Sequence, residues 1–182
     1  MTPKSGFTYR DYEALPNDGR RYEIHDGELC VTPAPSFEHQ VVHINLLRVL
    51  LQHVPAVAPG LLLSAPLDVI LADRPDETTI VQPDILYIAP DRMSVTSRRG
   101  IEGAPTLAVE ILSPSTRTID RVTKRRLYAR YGVPFLWLVD PDARAVEAFV
   151  LQNDRYVSAA GGAPVDLPPF TGLGLVPDAL WP

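Results

Sequence analysis

The chain reads as an α/β protein built on a mixed sheet, and three observations predict it. Short apolar or alternating β-type runs recur along most of its length, whereas only two stretches have the period of a main helix. The 19 prolines break the chain too often for a helical bundle. Residues 106–139 run strand, helix, strand, the form of a right-handed crossover if the two strands are parallel.

The elements follow in order. Arg21–His25 and Glu28–Val31 are two β-type runs joined by Asp26-Gly27, a two-residue hairpin signal. Pro33 and Pro35 then break the chain, and Ser36 is placed to cap a helix. From Glu38 to about His53 apolar residues are dense enough for a mostly buried helix. Leu61–Leu63, Leu67–Leu71 and Ile80–Ile88 read as strands, and Ala89–Pro105 as a loop. Thr106–Leu112 is a short apolar strand stopped by Ser113-Pro114-Ser115. A helix is predicted over Arg117–Tyr131, ended by Gly132 with Pro134 just beyond. Phe135–Val139 is a buried strand, and Ala145–Leu151 with Arg155–Ser158 forms a second hairpin across Asn153-Asp154. The Pro- and Gly-rich tail predicts short strands or turns.

Length and composition narrow the class. The 182 residues, 46% hydrophobic and 21% charged, suit one soluble domain over 1–182. No apolar run is long enough to cross a bilayer, and the start lacks an apolar signal segment, so a cytoplasmic protein is expected. Cys30 is the only cysteine, which excludes an internal disulfide and a cysteine-based zinc site. The net charge is −5, yet residues 117–131 carry six basic side chains against Asp120 alone. That segment is +5 and the remainder −10, so basic charge is concentrated on one helix. Such a face is either simply solvated or turned toward phosphates.

Two acids interrupt apolar strands: Asp84 in IVQPDILYI and Glu110 in TLAVEIL. A carboxylate inside a buried strand is costly unless its charge is compensated. Neighbouring strands lie about 4.8 Å apart and Mg²⁺ binds oxygen at about 2.1 Å, so two such acids on one side can share an ion. Lys124 stands 14 residues after Glu110 on the following helix, where its ammonium could orient water and offset phosphoryl charge. At helical spacing Arg117, Arg121, Lys124 and Tyr128 share one face. Each acid alone could equally pair with an arginine, and Lys124 with Asp120 four residues before it. His39 and His43 have a zinc-compatible spacing, but the HExxH pattern is absent and ordinary packing accounts for them. Ser113 and Ser115 read as strand-ending and helix-capping residues, and Trp137 and Tyr128 as packing residues. Trp181 is a candidate dimer contact.

The segments RYEIHDGEL (21–29), PAPSFEHQ (33–40), QPDILYI (82–88), VEILSPST (109–116), DRVTKRRLYARYGVP (120–134) and WLVDP (137–141) resemble the Uma-type family of endonucleases. That family belongs to the PD-(D/E)XK superfamily of restriction-like nucleases. The resemblance runs from about Phe7 to the C-terminus. It implies a restriction-endonuclease-like core with flanking helices and added hairpins, Mg²⁺- or Mn²⁺-dependent phosphodiester hydrolysis, and DNA as substrate. Pro83-Asp84 matches the PD of the motif and Glu110 its acidic member, so Asp84 and Glu110 are the expected metal ligands. The motif's lysine would stand at Leu112; the Uma-type pattern moves it to the following helix, at Lys124. Arg117 and Arg121 are expected to steer the DNA backbone. His39 matches a family position beside the site. A further N-terminal acid is expected at Glu23 or Glu28, with Glu28 preferred because it follows the turn. Phe135 departs from the family's usual Glu. A homodimer is the family expectation. The rival reading, motivated by Leu112 and Phe135, is a non-catalytic nuclease-fold module for binding or assembly.

Overall fold

The tight turn Asp26-Gly27, with φ of 51° and 80°, closes the hairpin of β1 (Arg21–His25) and β2 (Glu28–Thr32). Both turn residues have positive φ, the twist that two-residue hairpins require. Asn153 and Asp154 do the same, at 48° and 60°, between β10 (Ala145–Gln152) and β11 (Arg155–Ser158). The structure is a computed structural model that describes residues 6–74, 77–159 and 167–182; the first five residues and part of the expected tail of turns, 160–166, lie outside them.

Between the hairpins run α2 (Phe37–Val57), β3 (Leu61–Ser64), β4 (Val69–Ala72), β5 (Thr79–Val81), β6 (Ile85–Ile88), β7 (Ile101–Glu102), β8 (Leu107–Ile111) and β9 (Phe135–Asp140). A short α1 (Tyr9–Glu13) precedes β1, and α3 (Arg125–Arg130) lies between β8 and β9. Two sheets form, in the orders β2-β1-β5-β4-β7 and β11-β10-β9-β8-β6-β3. Strands β8 and β9 are parallel, as the crossover reading requires, and most other pairs are antiparallel.

The expected strand Ile80–Ile88 is two strands in two different sheets. β5 ends at Val81, Gln82-Pro83-Asp84 crosses over, and β6 begins at Ile85 in the other sheet. Proline has no N–H to give a ladder, so the break falls where it costs least. The expected strand Leu67–Leu71 likewise starts two residues later, at Val69.

Alternation along β8 sets the core. Leu107, Val109 and Ile111 face Val42, Leu46, Leu50 and Val54 of α2. Ala108 and Leu112 lie on the other face with Leu127, Tyr128, Leu136 and Leu138. Each fully buried aliphatic side chain contributes roughly 1.5–3 kcal/mol. Ser36 caps α2, its Oγ accepting from the His39 N–H at 3.2 Å. Trp181 is packed into the α2-side core, so it is not the exposed dimer contact that its terminal position suggested. Among the described residues no helix is long and apolar enough to cross a membrane.

Candidate active site

Glu110 belongs to the α3-facing side of β8, between Ala108 and Leu112, and is only 2% exposed. Lys124 reaches it from the helical crossover, with Nζ 3.2 Å from both carboxylate oxygens. The Tyr128 hydroxyl donates to Oε1 at 2.5 Å. These three meet because the helix widens: Ile119–Lys124 is a π-helical turn, after which α3 continues. Such turns recur at functional sites because they shift the phase of a helix face.

The shift divides the face that regular helical spacing predicted. Lys124 and Tyr128 turn to Glu110. Arg117 and Arg121 turn instead to the end of β9, where both pair with Asp140, and further with Asp142 and Glu147 respectively. Both guanidiniums, expected to steer the DNA backbone, are thus ion-paired with carboxylates and turned away from the Glu110 pocket.

Asp84 sits at the crossing between the sheets. The antiparallel register Ile85↔Val109, continued by one residue, brings it opposite Glu110. Its Oδ2 accepts from the Ile111 N–H at 2.8 Å and lies 3.2 Å from His39 Nε2. Its Oδ1 accepts from Arg21 at 3.1 Å. Burial alone would favour the neutral acid, but His39, Arg21 and the Ile111 amide outweigh it and hold Asp84 well below the usual carboxylate range.

The N-terminal acid that joins the cluster is Glu23. Its Oε1 lies 2.9 Å from Lys124 Nζ and accepts from the Gln82 N–H at 2.7 Å. Glu28, the preferred candidate, is exposed at the start of β2 and lines a different cleft. The hairpin register puts both acids on one face, with Glu28 opposite His25 at the turn end and Glu23 two residues further along β1, where Lys124 and the Gln82 amide reach it. Burial opposes ionisation of Glu23, yet Lys124, His25 and the Gln82 amide bring it down to about 2.

Asp120, read from sequence as the surface partner of Lys124, is buried too, 3.5 Å from Nζ. Among the described residues these four carboxyl groups thus face two permanent cations, Arg21 and Lys124, and of the four acids His25 touches Glu23 alone. The surplus falls on Glu110. Burial, joined by the charges of Asp120, Asp84 and Glu23 and opposed by Lys124, pushes its carboxyl up to about 8.

Asp84, Glu110, Lys124, His39 and Asp120 line one pocket of ≈ 30 Å³, room for about one or two water-sized bodies. Among the described residues no group of three or more His, Cys, Asp or Glu side chains is arranged around one cation position. Two carboxylates, Asp84 and Glu110, border the pocket, the type of oxygen donor that a hard divalent ion takes. His39 and His43 do not share a ligand: His43 Nε2 is 2.9 Å from Ser64 Oγ, while His39 serves Asp84.

The two departures from the motif also have places. Leu112 is 1% exposed in the apolar cluster beside Leu127 and Tyr128, on the same face as Glu110. Phe135 begins β9 opposite Leu107, three pairs from the Glu110↔Leu138 position, and packs against the α2-side core. It is remote from the pocket by about 10 Å of strand.

A mixed sheet with a strand-borne acid, a second acid at the adjoining sheet crossing and a lysine from the next helix defines a restriction-endonuclease-like α/β protein. The chain belongs to the family described as "Uma2: Putative restriction endonuclease", whose model matches residues 9–180. Its fold is similar to a crystal structure from Anabaena variabilis ATCC 29413 described as "a putative nuclease belonging to DUF820", with a TM-score of 0.74 at 20% identity over 96% of this chain and 97% of that one. No curated protein matches the chain.

Proposed function

We propose that the protein is a metal-dependent endonuclease that hydrolyses DNA phosphodiester bonds at the Asp84–Glu110 pocket, within a single domain spanning 1–182. The observation that carries this reading is the convergence of Asp84, Glu110 and Lys124 on one small pocket from three different elements. Family membership makes DNA the first substrate class to test.

Asp84 and Glu110 would hold Mg²⁺ or Mn²⁺. When bound, the ion supplies positive charge for the phosphoryl oxygens and makes nearby water more acidic. Arg21, His39 and the Ile111 amide fix the Asp84 carboxylate in one orientation. Tyr128 and Lys124 together fix the Glu110 carboxylate, the hydroxyl on Oε1 and the ammonium across both oxygens. Lys124 keeps its proton, because Glu110, Glu23 and Asp120 overcome the effect of its burial. Its ammonium is therefore available to orient water and to stabilise charge on a pentavalent phosphorus.

Incubation of supercoiled plasmid and of single-stranded DNA with Mg²⁺ or Mn²⁺ tests the proposal. Nicking that requires the metal and is lost in Asp84→Ala supports it; nicking that persists in Asp84→Ala removes Asp84 from the assignment. A folded protein that binds no Mn²⁺ at millimolar concentration in calorimetry would favour the binding-module reading.

A further inference from the structure

The β1–β2 hairpin carries a second constellation, facing a different cleft. Its register sets Cys30 directly across from Glu23, and His25 lies two residues along β1 on the same side. His25 Nε2 is 3.0 Å from Glu23 Oε2, and His25 Nδ1 is 3.3 Å from Cys30 Sγ. Glu23 is 1% and His25 5% exposed, whereas Cys30 is partly exposed. The thiol borders a cleft of ≈ 330 Å³ walled by Ile119, Thr123 and Arg126. A sulfur, an imidazole and an orienting carboxylate thus stand in hydrogen-bonding order beside open space, the arrangement that activates a nucleophile.

We propose that Cys30 is a reactive thiol, a modification site for small hydroperoxides, with His25 and Glu23 as its activating pair. The space in front of the sulfur is large enough for a small oxidant. Burial works against charge on the His25 ring, but the hydrogen bonds to Cys30 and Glu23 outweigh it and push the ring up to about 9. The geometry sets an imidazole nitrogen against the sulfur, with a carboxylate on its other nitrogen, so the ring is held in place to pass a proton during attack. In the reaction the sulfur attacks one peroxide oxygen; the S–O bond forms and the O–O bond breaks. The departing hydroxide takes the proton from His25 and leaves as water. Sulfur is oxidised by two electrons to the sulfenic acid, and the peroxide is reduced. The inference does not depend on nuclease activity, although Glu23 also touches Lys124.

The test uses the full chain with hydrogen peroxide at about pH 6.5, where an ordinary thiol is only about 1% ionised. Sulfenic acid is trapped with a cyclic 1,3-dione and counted by intact mass. The folded chain is expected to react at least about tenfold faster than the same chain unfolded in concentrated urea, because only the folded chain holds an imidazole against the sulfur to handle the proton. His25→Asn should bring the folded rate down toward the unfolded one, and Cys30→Ser should give no adduct. A folded rate equal to or below the unfolded rate overturns the proposal, even if His25→Asn fails to fold. A folded His25→Asn chain that reacts as fast as the native one overturns the role of the imidazole.

Discussion

Lys124 Nζ stands at the same distance, 3.2 Å, from the two carboxylate oxygens of Glu110. The lysine is also the buried countercharge of Glu23 and Asp120. Lys124→Met would leave three buried acids without their shared cation. Loss of about 3–5 kcal/mol is expected, read as a lower denaturant midpoint. Adding Glu110→Gln to that variant should cost less than the sum of the two single changes, because one charge no longer needs compensation.

The Glu110 carboxyl, pushed up to about 8 from an ordinary 4.5, links proton and metal binding. A carboxylate must be ionised to serve as ligand. Mn²⁺ affinity is therefore expected to rise between about pH 6 and 8, with about one proton released per ion, and to level off above. Calorimetry in buffers of different ionisation enthalpy counts that proton. In the metal-free protein the sign is opposite for stability. The folded state keeps a proton that the unfolded chain gives up near 4.5, so this contribution is complete below 4.5 and is lost as pH rises through about 8.

Arg117 and Arg121 are ion-paired at the end of β9. Arg117→Ala and Arg121→Ala should each change the salt slope of DNA affinity by much less than the value of about 1 expected for a direct phosphate contact. Fluorescence anisotropy at several salt concentrations measures the slope. A loss near 1 for either variant would place that guanidinium on the DNA.

Leu112→Lys would restore the conventional motif position and is expected to destabilise on the order of 3 kcal/mol, because it places an ammonium in an apolar cluster. Combined with Lys124→Leu, the new lysine enters on the same strand face as Glu110. The double variant should be more stable than the two single losses predict, by thermal or chemical unfolding.

How legible this was in the sequence depended on the range of the interaction. Both hairpins followed from local turn chemistry, since Asp26-Gly27 and Asn153-Asp154 adopt the positive φ that such residues tolerate. Ser36 and Gly132 marked helix ends for equally local reasons. The placing of Asp84, Glu110 and Lys124 around one pocket followed from motif order. The crossing of Gln82-Pro83-Asp84 between sheets is only half legible: Pro83 argues against one continuous strand, but nothing local says that the two halves join different sheets. The π-helical turn leaves no signal in spacing, so regular helical geometry puts Arg117 and Arg121 on the face of Lys124. Glu23 and Glu28 share one face of the hairpin, so alternation does not separate them; the choice depends on Lys124, which reaches Glu23 from a distant segment of the chain.

The Gln82-Pro83-Asp84 crossing makes the polar cluster depend on both sheets at once. Arg21 and Glu23 arrive with one sheet, Glu110 with the other, and Lys124 with the intervening crossover helix. A chain with only one sheet formed would hold acids apart from the cations that neutralise them. A complete cluster and completed tertiary structure therefore coincide, because the same wiring brings the charges together and ties the two sheets to each other.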